Sequence, residues 1–315
     1  MRGGRSDRSA EPALGSRRRS GAGDPREQRD EGESRGRFGE RRASHERCRT
    51  LSRLTGGTYL DAILRHHRAG AAEDGRAVEE LIDRARNAVD PRPFTAGLLE
   101  SPGLAVIAEV KRRSPAKGDL LPDLDPTELA TVYATAGAAC LSVLTDEEFF
   151  GGSRADLLAA RRAVDVPVLR KDFTVSLQDV CDARIMGADA VLLIAAALDD
   201  AELRDLAALA GELGLDVLVE VHDEVELERA LAAGATLVGV NQRDLFSFEV
   251  DQERALRMAR SVPAGVVKVA ESGVRDAADA RALAAAGYDA VLVGESLVTA
   301  ADIAAQLASL RVPFP

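Results

Sequence analysis

From residue 104 onward the chain alternates short apolar runs without polar interruption and amphipathic stretches of roughly 15 to 25 residues. Similar phrases introduce four of the runs: Ala136-Gly-Ala-Ala-Cys-Leu-Ser-Val-Leu144, Met186-Gly-Ala-Asp-Ala-Val-Leu-Leu-Ile194, Ala233-Gly-Ala-Thr-Leu-Val-Gly-Val240 and Ala286-Gly-Tyr-Asp-Ala-Val-Leu-Val293. Each reads as the end of a helix stopped by glycine, followed by a strand apolar on both faces. Val106–Lys111, 167–170, 216–221 and 265–270 supply four more β-rich runs. Residues 201–213 and 224–232 carry helical periodicity between them. Upstream, Leu60, Ile63 and Leu64 are spaced for a helix over 59–68, and a second helix over 78–89 is ended by Asp90-Pro91.

Eight strands alternating with helices, each buried on both faces, predict a closed parallel (β/α)8 TIM barrel, a fold that typically needs about 250 residues. An open doubly wound sheet is the competing architecture, but neither GxGxxG nor GxxxxGK[ST] follows the strand ending at Lys111. The expected organisation is a disordered Arg/Ser/Gly/Glu-rich tail over residues 1–57 and a barrel domain with an N-terminal helical extension over 58–315. The tail holds too few aliphatic residues to offset the entropy of ordering it.

Charge sharpens that division: the first 57 residues carry net +6 and the rest net −17. An acidic body disfavours nucleic acid as a partner, and no run approaches the roughly 20 apolar residues that cross a bilayer. Three scattered cysteines, Cys48, Cys140 and Cys181, fit neither a disulfide framework nor a metal cluster, so a reducing cytoplasm is the expected setting. His66 and His67 are adjacent, hence about 100° apart on a helix, and read as surface residues that cannot share a metal.

In this barrel, catalytic groups lie at the carboxyl ends of the strands. Those ends hold Glu109 and Lys111, Thr145 and Asp146, Lys171 and Asp172, Glu220 and His222, Asn241 and Arg243, Glu271 to Gly273, and Gly294 to Ser296. Taken alone, Glu109-Val-Lys111 reads either as a surface ion pair or as a delivery of chemistry. Two residues back from these groups stand Ile107, Leu169, Leu218, Gly239 and Val269, so one parity fills a core and then opens into a polar mouth. A Lys/Glu-rich mouth suits acid–base catalysis, because burial is expected to lower lysine pKa values and raise glutamate values toward neutrality. His222 reads as a packing or hydrogen-bonding residue. Glycine-rich turns after strands seven and eight expose N–H groups for a phosphate. Together they predict a phosphorylated, sugar-like substrate with no metal and no nucleotide cofactor.

Ile107-Ala-Glu-Val-Lys-Arg-Arg-Ser-Pro-Ala-Lys-Gly118, Leu141-Ser-Val-Leu-Thr-Asp146 with Phe150-Gly-Gly-Ser153, Leu169-Arg-Lys-Asp-Phe173, Leu218-Val-Glu-Val-His222, Gly239-Val-Asn-Gln-Arg-Asp-Leu245, Val269-Ala-Glu-Ser-Gly273 and Val293-Gly-Glu-Ser296 carry a likeness. From Tyr59 to its end the chain resembles the indole-3-glycerol-phosphate synthases. The resemblance implies a carboxy-lyase of tryptophan biosynthesis acting on a small phosphorylated, anthranilate-derived substrate without a cofactor. It implies Lys171 as general acid, Glu220 as base of the dehydration, Lys111 as an anion partner or second proton donor, and Glu109 and Asn241 as orienting groups. Arg243, Ser114 and Glu271 would contact substrate, and Phe150, Phe173, Leu192 and Leu245 would wall its aromatic ring. Ser272, Gly273, Gly294 and Glu295, the last through its backbone N–H, would receive the phosphate. The chain departs from the family pattern at Ala116, Ser176, Leu177 and Gln242. A monomer is compatible with all of this. Two other readings remain: a Schiff-base sugar-phosphate aldolase on the same barrel, and a non-catalytic role for the basic tail.

Overall fold

The computed structural model describes residues 58–114, 117–244 and 249–315; the expected tail, Ala116 and Leu245 lie outside them. The eight apolar runs form β1 (Ala105–Val110), β2 (Cys140–Leu144), β3 (Val168–Lys171), β4 (Ala190–Ile194), β5 (Asp216–Val221), β6 (Leu237–Asn241), β7 (Val267–Glu271) and β8 (Ala290–Val293). They pair in parallel in chain order, and β8 returns to β1 with Ala290 opposite Ala105, which closes the barrel. Both bounds of three strands shift by one or two residues from expectation. Lys111 lies just past β1, Lys171 ends β3 inside the ladder, and Gly265 sits before β7 at φ +88°.

Most of the crossovers are built around helices whose starts are written locally. Ser176 and Asp179 make a reciprocal capping box for α6 (Leu177–Met186), and Asp199 with Glu202 does the same for α7 (Asp200–Glu212). Asp125 caps α4 (Pro126–Thr135), where Pro126 occupies a first-turn position that needs no N–H partner. The remaining helices are α5 (Arg154–Ala163), α8 (Glu224–Ala232), α9 (Arg254–Met258), α10 (Ala277–Ala285), α11 (Glu295–Val298) and α12 (Ile303–Leu310). The phrase glycines Gly137, Gly187, Gly234 and Gly287 lie between φ +87° and +94°, a left-handed turn that lets the chain leave a helix and enter a strand. Ile107, Leu169, Leu218 and Val269 are fully buried inside the barrel.

Before the barrel come α1 (Tyr59–Glu73), α2 (Val78–Arg86) and α3 (Phe94–Leu99). The helix expected over 59–68 runs on to Glu73, and the one expected over 78–89 stops at Arg86. Helix α3 lies under the amino ends of the strands: Cys140 Sγ meets the Phe94 carbonyl at 3.5 Å, and Thr95 N–H donates to Asp216 at 2.8 Å. Asp189, at the start of β4, accepts from the N–H of Val168 and of Arg92 (both 2.8 Å) and from the Arg161 guanidinium (2.9 Å). Asp289 accepts from Lys268 N–H in the same manner, at 2.8 Å. Helix α1 runs along the opposite, upper side, where Arg68 grips both carboxylate oxygens of Glu202 at 2.6 and 2.8 Å. Among the described residues no helix is long and apolar enough to cross a membrane.

Candidate active site

Inward parity brings charge together where the apolar layers end. Lys171 Nζ, at the tip of β3, lies 2.9 Å from Glu220 Oε2 on β5 and 3.5 Å from Glu271 Oε2 on β7. Asn241 Nδ2 on β6 donates to the other oxygen of Glu220 at 2.9 Å. On β1, Glu109 accepts from Lys111 Nζ at 3.1 Å, and that ammonium stands 5.9 Å from the Phe150 ring centre. Two glycines make room for these carboxylates. A Cβ on Gly239 would lie 2.0 Å from Glu271 Oε1, and one on Gly294 would lie 2.2 Å from Glu109 Oε2. These groups line a cavity of about 370 Å³ at the carboxyl ends of the strands.

One side of the cavity is apolar, with Phe150, Phe173, Leu144, Leu192 and Ile194. The other holds Arg243, Ser272, Gly273, Gly294 and Glu295. Ser272 and Gly273 take left-handed φ values of 63° and 74° in succession after β7. A serine held there is a strained conformation of the kind that persists at ligand-binding turns. Ser114 is buried and accepts from Lys117 N–H at 3.1 Å.

A model of the family described as indole-3-glycerol phosphate synthase matches residues 60–310. The chain belongs to that family. It is 53% identical over 245 residues to the indole-3-glycerol phosphate synthase of Parafrankia sp., covering 77% of this chain and 91% of that protein. It is 46% identical over 246 residues to the one of Chlorobium chlorochromatii, covering 76% and 95%. A solved thiamine phosphate pyrophosphorylase from Pyrococcus furiosus shares the barrel at 18% identity and a TM-score of 0.51, over 68% of this chain and 96% of its own. That distant likeness concerns the fold alone.

Within this barrel, the proton states of the central groups depart from what burial by itself dictates. Burial would lower the Lys171 pKa, as its sequence position led one to expect. Glu220, Glu271 and Glu109 together outweigh burial and hold the ammonium above its ordinary value. Burial also works against ionised Glu220, but Lys171, His222 and the Asn241 amide bring its carboxyl down to about 2. Glu271 goes the other way, to about 8, through burial and the like charges of Glu220 and Glu109, although Lys171 opposes the rise. Near neutral pH the cluster therefore holds an ammonium, an ionised acceptor and a neutral carboxylic acid within one hydrogen-bonding radius.

Other residues singled out in the sequence lie around this cluster. His222 turns Nδ1 to Glu226 at 2.9 Å and stands 3.6 Å from Glu220, behind the cluster. Gln242, one of the departures, donates from its buried amide to the Ser272 carbonyl at 2.7 Å and ties β6 to the turn after β7. Ser176 caps α6 and Leu177 opens it, so that departure supplies a helix start. His67 is not a surface residue: α1 lies against the ends of β2 and β3, and His67 Nε2 meets Asp146 at 2.8 Å. Lys117, which sequence reasoning passed over inside Ser-Pro-Ala-Lys-Gly118, also lines the cavity, with its ammonium on the Glu295 carboxylate. Arg243 Nη2 lies 3.8 Å from the same carboxylate.

Glu271 carries a pH signature. The unfolded chain releases this proton near the ordinary value of 4.5 and the folded chain near 8. The stabilising contribution is therefore complete below 4.5 and is lost as pH rises toward 8. Glu271→Gln removes that loss, and its melting temperature relative to wild type is expected to climb by several degrees between pH 5 and 8.5, at about 2–4 °C per kcal/mol for a chain of this size. Melting curves that shift in parallel for both proteins would show Glu271 ionised throughout.

Proposed function

We propose that the chain converts 1-(2-carboxyphenylamino)-1-deoxyribulose 5-phosphate to indole-3-glycerol phosphate, releasing CO2 and water. The observation that carries this reading is the Lys171 ammonium, which bridges Glu220 and Glu271 on the floor of a cavity with one apolar and one polar side. Phe150, Phe173 and Leu192 cover the aryl ring. Ser272, Gly273, Gly294 and the Glu295 N–H take the phosphate, while Arg243, Ser114 and Lys111 hold the other anionic and polar groups.

The ring carbon bearing the carboxylate attacks the keto carbon, and Lys171 delivers its proton to the forming alkoxide. An ammonium paired with ionised Glu220 stays charged until the alkoxide, a far stronger base, develops beside it. Loss of CO2 returns its bonding electrons to the ring. The hydroxyl then leaves as water, protonated by a lysine, as Glu220 accepts the ring proton. Glu109 and Asn241 orient Lys111 and Glu220, respectively. Water excluded by the apolar wall strengthens each of these interactions as charge develops.

A Schiff-base aldolase is disfavoured on the same observation, because imine formation needs a neutral amine and the carboxylates around Lys171 oppose one. In this reading residues 58–315 carry the reaction as a monomer, without the preceding tail. Cys140 and Cys181 are free and buried, which accords with a cytoplasmic enzyme. The test is direct: purified protein mixed with the carboxyphenylamino substrate should develop indole fluorescence, and a folded protein that yields none would refute the assignment.

A further inference from the structure

Three elements meet beside the mouth: α1, the end of β2 and the end of β3. His67 on α1 directs Nε2 to Asp146 Oδ2 at 2.8 Å and lies 3.9 Å from Asp172 Oδ1. The free oxygen of Asp146, Oδ1, accepts the backbone N–H of Phe149 at 2.6 Å and of Phe150 at 3.0 Å. Asp172 Oδ1 accepts the N–H of Phe173 at 2.8 Å. The rings of Phe150 and Phe173 stand 6.2 Å apart on the apolar wall, and the His67 imidazole lies 5.4 Å from the Phe173 ring, tilted by 33°. One imidazole thus touches two carboxylates, and each carboxylate fixes the backbone of one wall ring.

We infer that His67 is a positioning residue: as a cation it draws Asp146 and Asp172 together and so sets the gap between Phe150 and Phe173 that grips the aromatic ring of the substrate. The inference rests on the reaction proposed above. His67 touches neither reacting atoms nor phosphate, and acts through the two aspartates. It also gives α1 a part in substrate binding, although the helix precedes the barrel in the chain.

The surrounding charges support a cation at this place. Asp146 faces it from the end of β2, with Glu147 and Glu148 next in the chain. Arg170 and Asp172 face it from β3, Asp179 from α6, Arg154 from α5, and His66 from its own helix. Arg170 engages the other oxygen of Asp172, Oδ2, at 2.9 Å, which leaves Oδ1 for His67 and Phe173. Burial disfavours the imidazolium, but Asp146 and Asp172 outweigh it and raise the pKa above the ordinary 6.5. The cation is present below that raised value and is lost as pH rises through it.

The experiment measures KM and kcat for the carboxyphenylamino substrate from pH 6 to 9 in wild type, His67→Gln and His67→Lys. Wild-type KM is expected to rise with pH as the imidazolium discharges, while any change in kcat from the titration of Glu271 near 8 is shared by wild type and both variants. His67→Gln, which keeps a polar group without the charge, should start with a KM about three- to tenfold higher and show no such rise. His67→Lys should restore a low KM that stays flat over the range. A His67→Gln enzyme with wild-type KM and pH profile, or one that loses kcat at unchanged KM, would overturn the inference and leave the reaction assignment intact. Failure of His67→Lys to recover the KM would likewise overturn it. No turnover by wild type would overturn both.

Discussion

Lys171→Ala is expected to lower kcat by about 10²- to 10⁴-fold, the range supplied by a positioned general acid, with circular dichroism unchanged. Two losses combine in that figure. The keto oxygen loses its proton donor, and Glu220 loses the cation that holds its carboxyl ionised. Without Lys171, Glu220 also loses the 2.9 Å hydrogen bond that positions it, so the base of the dehydration is displaced along with the loss of the acid. Single substitutions at Lys171 and Glu220 should therefore be far from additive, and a double variant should be little worse than Lys171→Ala. Single-turnover fluorescence separates the ring closure from product release. A Lys171→Ala enzyme within tenfold of wild type would transfer the acid role to Lys111.

Asp189→Ala is expected to cost about 3–5 kcal/mol of stability, because it strands buried partners of a charged group. Asp189 is fully buried and serves two backbone N–H groups and the Arg161 guanidinium. Its removal leaves the Val168 N–H and much of a nearly buried guanidinium without their acceptor, at the edge where β3 meets β4. The urea midpoint should fall accordingly, while kcat of the protein that remains folded stays near wild type, since Asp189 lies at the end of the barrel away from the cavity. A loss of turnover without a loss of stability would contradict this division.

The barrel was legible because each strand is apolar on both faces and each phrase glycine marks a helix end. Both signals are local, and both survive into the fold. The lysines and glutamates of the mouth were legible for a related reason: a charged residue two positions beyond a buried one in a strand stays on the inward face. The proton state of Lys171 was not legible, since it depends on carboxylates brought from β1, β5 and β7. Nor was the place of His67. Its partner Asp146 is 79 residues away, and adjacent histidines on a polar helix face give no hint that one of them is half-buried. Nor was the pairing of the Glu295 side chain with Lys117 legible: the two are 178 residues apart and meet only across the mouth.

Asp189 and Asp289 bear on the mouth in a way that their position at the far end conceals. Asp189 holds Val168 across the β3–β4 seam, and Asp289 holds Lys268 across the β7–β8 seam, each reaching back 21 residues. Those seams lie four strands apart in a closed ring of eight, hence diametrically opposed. A barrel's stagger is a single quantity shared by all its strands, so slippage at one seam must be absorbed by the others. Two pins on opposite sides leave no half of the ring free to slide against the other. The heights at which Lys171 and Glu271 end their strands are thereby levelled from below, which lets the loops above vary in sequence without putting the acid and its carboxylates out of reach of each other.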